Sequence, residues 1–161
     1  MGQRSLELIE NPLSGLFDVL QLQRIHRYLF QDVYEWAGHF RTVDIAKGKS
    51  YFAHVPYIRS TLEGLFERLS EGQHLRGIGQ EAFAHRAAKI LGTLNAVHPF
   101  PEGNGRTQRE FVRELAHKNG YWLDWSRVSQ EGLYEASDLS FMRGDNTLFE
   151  ELLKRALERT R

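Results

Sequence analysis

Apolar residues recur along this chain at helical spacing in five stretches and at alternating spacing in one. From Gly15 to Trp36, Leu20, Ile25, Leu29, Val33 and Trp36 fall on a period near 3.6, which predicts a helix closed by Ala37-Gly38. The period then changes. Val43 and Ile45, the polar run Ala46-Lys47-Gly48-Lys49, and then Tyr51, Phe52 and Val55 predict a β-hairpin with Gly48 at its turn. Pro56 opens a helix carrying Ile58, Leu62, Leu65, Phe66 and Leu69 and closing at Gly72, followed by a loop to Gly79. Gln80 to Val97 is predicted to bury Phe83, Ala87, Ile90, Leu91, Leu94 and Val97, with His85, Arg86 and Lys89 on its other side.

Further along, Arg106 to Lys118 is predicted as a helix with Phe111, Val112, Leu115 and Ala116 inward, stopped by Asn119-Gly120. Tyr121 to Trp125 is a short apolar link. Ser129 to Met142 is expected to be helical, and after Gly144-Asp145 a last amphipathic helix uses Leu148, Phe149, Leu152, Leu153 and Leu157. Met1 to Ser14 is short and mixed, with a turn at Asn11-Pro12. Without repeats or a linker, the 161 residues read as one mostly helical domain with a hairpin inserted early.

Between two of these helices lies the run His98-Pro99-Phe100-Pro101-Glu102-Gly103-Asn104-Gly105-Arg106-Thr107-Gln108-Arg109. Each proline disfavours a right-handed helical conformation in the residue before it, so His98 and Phe100 are expected to be extended and the incoming helix to stop at His98. Gly103-Asn104-Gly105 lets the backbone turn sharply ahead of the next helix, whose N-terminus is a ready anion site. Arg106 and Arg109 fall in that first turn, where the macrodipole makes each cation unfavourable by about 0.3–1 kcal/mol. A bound polyanion reverses that sign and gives both guanidinium forks a partner.

Those parts suit phosphoryl or nucleotidyl transfer. The amides of Gly103 to Gly105 and the side-chain amide of Asn104 can cradle phosphate oxygens, while Arg106 and Arg109 hold terminal phosphates. Glu102 can ligate Mg²⁺, which typically takes one or two carboxylates plus substrate phosphates. His98 can take a proton from an attacking hydroxyl, and Phe100 is expected to anchor the loop in the core. Histidines such as His26 and His85 are read as packed or surface polar residues, and no HExxH spacing occurs. Gly48-Lys49-Ser50 copies the tail of a P-loop, but Val43 stands where its first glycine is needed and a strand follows, so the P-loop is rejected.

Composition narrows the partners. Lys+Arg and Asp+Glu both total 21, so no global basic field points to direct nucleic-acid binding. The absence of cysteine excludes disulfides and thiolate metal sites. With no apolar run long enough for a bilayer and no apolar signal core, no membrane partner is expected and the cytoplasm is the expected compartment.

The run from His98 to Arg109 resembles, position by position, the Fic family signature HxFx(D/E)GNGRxxR. The segment from Leu29 to Gly48 followed by the Phe52 strand is also similar to Fic proteins of bacterial toxin type, and the likeness covers about Asn11 to Met142. It implies an all-α Fic-fold helical bundle with a β-hairpin flap, here about residues 41–54. The implied activity is AMPylation, transfer of AMP from ATP to a protein hydroxyl. By motif position, His98 is the implied base, Glu102 the Mg²⁺ ligand, and Gly103, Asn104 and Gly105 the anion hole. Arg106 and Arg109 would bind the departing phosphates. Val43, Asp44, Ile45, Lys47 and Gly48 of the flap would register a target segment by strand addition.

Doc-type members that phosphorylate instead carry Lys where this chain has Gly105, so Gly105 favours adenylyl transfer. UTP and CDP-choline remain alternative donors. A Doc-like kinase, a hydrolase removing AMP and a catalytically silent nucleotide-binding module remain alternative functions. Toxins resembling the chain modify the ATPase subunits of DNA gyrase and topoisomerase IV, the expected targets. Many Fic proteins carry an inhibitory pattern (S/T)xxxE(G/N). Ser5 before Glu10-Asn11 and Ser126 before Glu131-Gly132 are each one residue too long for it, which rotates the Glu by about 100° on a helix. A small separate antitoxin supplying that Glu beside Arg109 is therefore the expected partner.

Overall fold

The computed structural model describes residues 2–160. Among them are seven helices: α1 (Gln3–Glu10), α2 (Val19–Phe30), α3 (Ile58–Glu71), α4 (Gln80–Val97), α5 (Asn104–Lys118), α6 (Gln130–Arg143) and α7 (Thr147–Ala156). Two antiparallel strand pairs accompany them, β1 (Ala46–Lys47) with β2 (Ser50–Tyr51) and β3 (Tyr121–Leu123) with β4 (Leu157–Arg159). Helix α4 is the hub, packed by α3, α5, α6 and α7, and one cluster of buried side chains runs from Leu8 to Leu157.

The mostly helical bundle with an early hairpin is as expected, and the apolar stripes predicted for α3, α4 and α5 are buried. Gly48 turns the hairpin with a φ of +62°, a value that favours glycine over residues with a Cβ. The tail that mimics a P-loop is thus a tight turn running into β2, and the rejection of a P-loop stands.

Four details differ from the expectations, each for a physical reason. Helix α2 is shorter than Gly15–Trp36. Asp18 caps its N-terminus by accepting from the Gln21 N–H at 2.9 Å, and after Phe30 the chain folds back through tight turns. Its buried stripe is Val19, Leu22, Ile25, His26, Leu29 and Phe30, so Leu20 and Val33 are 62% and 67% exposed rather than inward. Helix α1 was not foreseen because it buries Leu8 alone, too little for a period to show. The last helix ends at Ala156, and Leu157 opens β4, pairing with Leu123. That ladder is three residues long and joins segments far apart in sequence, below what periodicity resolves.

Helix α5 buries polar as well as apolar groups. Arg113 makes two hydrogen bonds to Glu110, at 2.7 and 2.9 Å, and donates to the Leu8 carbonyl at 2.8 Å, which fastens α1 onto α5. Glu114 accepts from the Leu13 N–H at 3.1 Å and from Gln21 Nε2 at 3.0 Å. Burial pushes its carboxyl up from 4.5 to about 7, with Glu110 adding to the rise.

That shift has a definite sign. Between 4.5 and about 7 the folded chain holds a proton that the unfolded chain has released. This group's contribution to stability therefore falls as pH rises through that window. Glu114→Gln should flatten the pH dependence of urea unfolding between about pH 5 and 7 relative to the parent chain. An unchanged slope in the variant would contradict the assignment.

Candidate active site

The site is built where α4 ends and α5 begins. His98 closes α4 in the left-handed conformation, φ 49° and ψ 62°, with its N–H donating to the Leu94 carbonyl at 2.9 Å. The extended geometry expected of His98 is thus corrected. Pro99 excludes the right-handed well, and the helix terminates through the left-handed one instead.

Phe100 then plugs the loop into the core, 1% exposed and stacked on the His26 ring at 3.9 Å and 15°. Asn104 closes the loop behind it. Its Oδ1 accepts from the Phe100 N–H at 2.9 Å and its Nδ2 donates to the Phe100 carbonyl at 2.8 Å. At 3% exposure, the Asn104 carboxamide closes the loop through its oxygen and one of its two N–H groups. Gly103 has a φ of +80°, and a Cβ there would lie 2.4 Å from the Phe30 ring, so no other residue fits without displacing α2.

The helix N-terminus is left open. The Thr107 N–H is the first in α5 to reach back, to the Gly103 carbonyl at 3.2 Å. The N–H groups of Asn104, Gly105 and Arg106 have no helical partner and form the anion-binding end. Arg106 is exposed, steadied by the Ser5 hydroxyl at 3.0 Å and by the Phe30 face at 5.1 Å. Arg109 is half-buried and has no carboxylate partner among the described residues. Burial and then the neighbouring Arg106 lower its pKa, the electrostatic state of a site that wants an anion.

Arg109 stands in the wall between two cavities. One, of about 430 Å³, is lined by His98, Gly105, Gln108 and Arg109 from the loop and α5, by Ile45, Ala46, Lys47 and Phe52 from the hairpin, and by α6 residues including Phe141. The other, of about 500 Å³, is lined by Arg106, Arg109, Ile9 and the β3 region with Trp122 and Trp125.

His98 faces the first cavity under a stack of aromatic rings. Phe52 covers it at 4.1 Å and 23°, and Phe141 covers Phe52 at 4.2 Å and 17°. Burial, then the Arg41 cation, and also Lys47 push its pKa down to about 4, against the opposing Asn95 backbone contact. The imidazole is therefore neutral at physiological pH, as a proton acceptor must be.

Glu102 is exposed at the loop's outer edge. Its backbone is held from behind by His26, whose Nδ1 accepts from the Gly38 N–H at 2.9 Å. That fixes the proton on Nε2, which donates to the Glu102 carbonyl at 2.9 Å. No group of three or more metal-ligating side chains occurs among the described residues. A single accessible carboxylate beside a phosphate cradle fits Mg²⁺, which completes its shell with phosphate oxygens and water.

The hairpin overhangs the cavity but does not use all the residues expected of it. Ile45 and Lys47 line the cavity, and Lys47 pairs with Asp138 on α6 at 3.0 Å and lies 4.6 Å over the Tyr134 ring. Asp44 is spent within the hairpin, accepting from the Val55 N–H at 2.8 Å and pairing with His54 at 2.9 Å. Val43 is exposed, and Gly48 sits at the outer turn. Each strand of this pair has only one neighbour, so the outer edge is open.

Two residues of the site have no role in the sequence pattern: His26 reads there only as packed or surface polar, and Arg41 only as part of the flap. Their partners lie 76 and 57 residues away, so no local pattern announces either.

The Fic/DOC family matches residues 16–116, well over half of the chain. The chain belongs to the Fic/DOC family. It is 46% identical over 154 residues to the protein adenylyltransferase VbhT of Bartonella schoenbuchensis, covering 96% of this chain and 32% of that protein. The chain thus spans about a third of that relative's length. It is also 41% identical over 128 residues to a probable protein adenylyltransferase, y4lH, of Sinorhizobium fredii, covering 79% of this chain and 67% of the other. Among solved structures, the Fic domain of a putative cell filamentation protein from Bartonella quintana with bound ADP superimposes with a TM-score of 0.90 at 28% identity, covering 99% and 81% of the two chains. The BepC protein of Bartonella tribocorum with bound AMPPNP gives 0.89 at 25% identity, covering 99% and 83%. The loop from His98 to Arg109 is thus a Fic loop in sequence and lies in a chain of Fic fold.

Proposed function

We propose that the chain is a protein adenylyltransferase, moving AMP from ATP to a hydroxyl side chain of another protein. The observation that carries the reading is a neutral imidazole facing a cavity whose wall includes Gly105, at the open N-terminus of α5, and the uncompensated Arg109, with Arg106 on the adjoining cavity. The relatives named above as adenylyltransferases, and the structures that hold ADP or AMPPNP, support the same assignment.

In this reading the free amides at the start of α5, from Asn104 to Arg106, hold phosphate oxygens at the reacting end, and the Arg106 and Arg109 side chains hold the phosphates that leave. His98 takes the proton from the target hydroxyl as its oxygen bonds to the α-phosphorus and the bond to the β-phosphate bridge breaks, releasing pyrophosphate. A base whose pKa is about 4 when the site is empty is a weak one. Nucleotide anions counter the nearby cations and so raise its basicity once bound. Glu102 would hold Mg²⁺, which would neutralise charge on the phosphates.

Gly105 weighs against the Doc-type alternative. A Cβ there would already stand 3.0 Å from Arg109 Nη1, so a lysine would crowd the arginine that this reading needs. The hairpin's open edge suits a target segment added as a strand, with Ile45 and Lys47 beside the cavity. The ATPase subunit of DNA gyrase or topoisomerase IV is the target we carry, and a cytoplasmic setting goes with it. Among the described residues, no helix is long and apolar enough to cross a membrane.

His98→Ala should lower transfer by about 10²–10⁴-fold. ATP affinity should change by less than about threefold, under 1 kcal/mol, because the cradle stays in place. Parallel loss of binding and turnover would show that His98 is structural.

Restraint by a separate small antitoxin is part of the same proposal. Arg109 has no carboxylate partner among the described residues, while Glu10 and Glu131 both face solvent, in keeping with a Glu delivered from elsewhere. Expressed without such a partner, the chain should modify its target freely. Full restraint of the isolated chain, relieved by Glu10→Gly or Glu131→Gly, would place the inhibitor in cis.

A further inference from the structure

Arg41 is 2% exposed, and burying a guanidinium is unfavourable unless its donors are engaged. The nearest carboxylate, Asp44, is 3.9 Å away and half in solvent. Backbone carbonyls take its place. Nε donates to the His98 carbonyl at 2.8 Å, Nη1 to that of Val43 at 2.9 Å, and Nη2 to that of Val97 at 3.1 Å and to that of Ala53. The Arg41 N–H also donates to the Pro99 carbonyl at 2.9 Å.

These acceptors have a pattern. Val97 and His98 are the last carbonyls of α4, where the macrodipole is negative and a cation is welcome. Val43 and Ala53 are the two legs of the hairpin, one on each side of the β1–β2 ladder. The Ala53 N–H in turn donates to the Ala96 carbonyl at 3.1 Å. One planar fork therefore joins both legs of the flap to the backbone of His98, whose ring is roofed by Phe52 from the same flap. Arg41 is not among the residues that line the cavity, so it acts through its neighbours.

We propose that Arg41 is a positioning residue for the transfer reaction, holding the His98 imidazole in its left-handed backbone setting and the flap over it as one rigid unit. The proposal rests on the adenylyl-transfer reading for its activity consequences, though the coupling between flap and loop is independent of it. A lysine in this place keeps the charge but presents one nitrogen, which cannot span acceptors on the flap legs and the end of α4 together. The phosphate cradle, from Gly103 to Arg109, makes none of these contacts.

The test uses Arg41→Gln and Arg41→Lys in the whole chain, with three readouts: kcat and KM for the protein target, ATP affinity measured without target, and amide hydrogen exchange. In Arg41→Gln, kcat should fall by about 10²-fold, the scale set by an ångström-sized misplacement. Lysine should recover little of that loss. ATP affinity should stay within about twofold, a change under 1 kcal/mol. Exchange should quicken at 42–54 and at Val97 and His98 while the rest of the chain keeps its protection.

Unchanged kcat and unchanged flap exchange in a folded variant would overturn the proposal. So would loss of ATP binding together with faster exchange throughout, which would make Arg41 a general stability residue. Failure of both variants to fold would do the same. Absence of transfer by the parent chain would instead count against the adenylyltransferase reading, and the exchange data would still decide the role of Arg41.

Discussion

A loop that offers its amides to an anion cannot also satisfy them within itself, so it has to be held from behind. That constraint shapes this protein. The three N–H groups at the start of α5 have no helical partner, Gly105 among them lines the cavity, and the loop behind them is held by packing and hydrogen bonds. Phe100 fills the core, Asn104 clips the loop across Phe100, and His26 carries both the Phe100 ring and the Glu102 carbonyl. Helix α2 supplies His26 and also Phe30, which leaves room for hydrogen alone at Gly103. Removing the aromatic packing would leave the loop's hydrogen bonds without a fixed frame.

Charge is arranged to the same end. The chain is neutral overall, with 21 basic and 21 acidic residues, so the attraction for phosphate is local. Arg106 is steadied by a hydroxyl and an aromatic face, and Arg109 by burial, with no carboxylate competing for either fork among the described residues. Arg113, one turn further along α5, is by contrast bonded to Glu110 and to the Leu8 carbonyl, and serves the fold. The difference between a binding arginine and a structural one on the same helix is therefore the presence of a buried acid within reach.

Much of this was legible in the sequence because it is local. The glycine–asparagine–glycine turn, the prolines that stop α4, and the spacing of Arg106 and Arg109 all act within a dozen residues. The long helices α3, α4 and α5 were legible too, because each buries a full stripe. What escaped was non-local or brief: the β3–β4 ladder, the single buried contact of α1, and the reach of His26 and Arg41 to partners across the fold. Asn104 shows a subtler case. Its residue type suits phosphate binding and loop closure equally, and only packing shows that the side chain closes the loop.

In the proposed reaction the nucleotide lies with its α-phosphate at His98 and its terminal phosphates toward Arg106 and Arg109. Incubating the chain, Mg²⁺ and an acceptor protein, such as a type II topoisomerase ATPase subunit, with ATP labelled at the α-phosphate or at the γ-phosphate tests this most directly. Label should appear on the acceptor from the α-position alone, with the acceptor heavier by one AMP. Transfer from the γ-position would mean that the nucleotide lies reversed in the cavity and would contradict the proposed reaction.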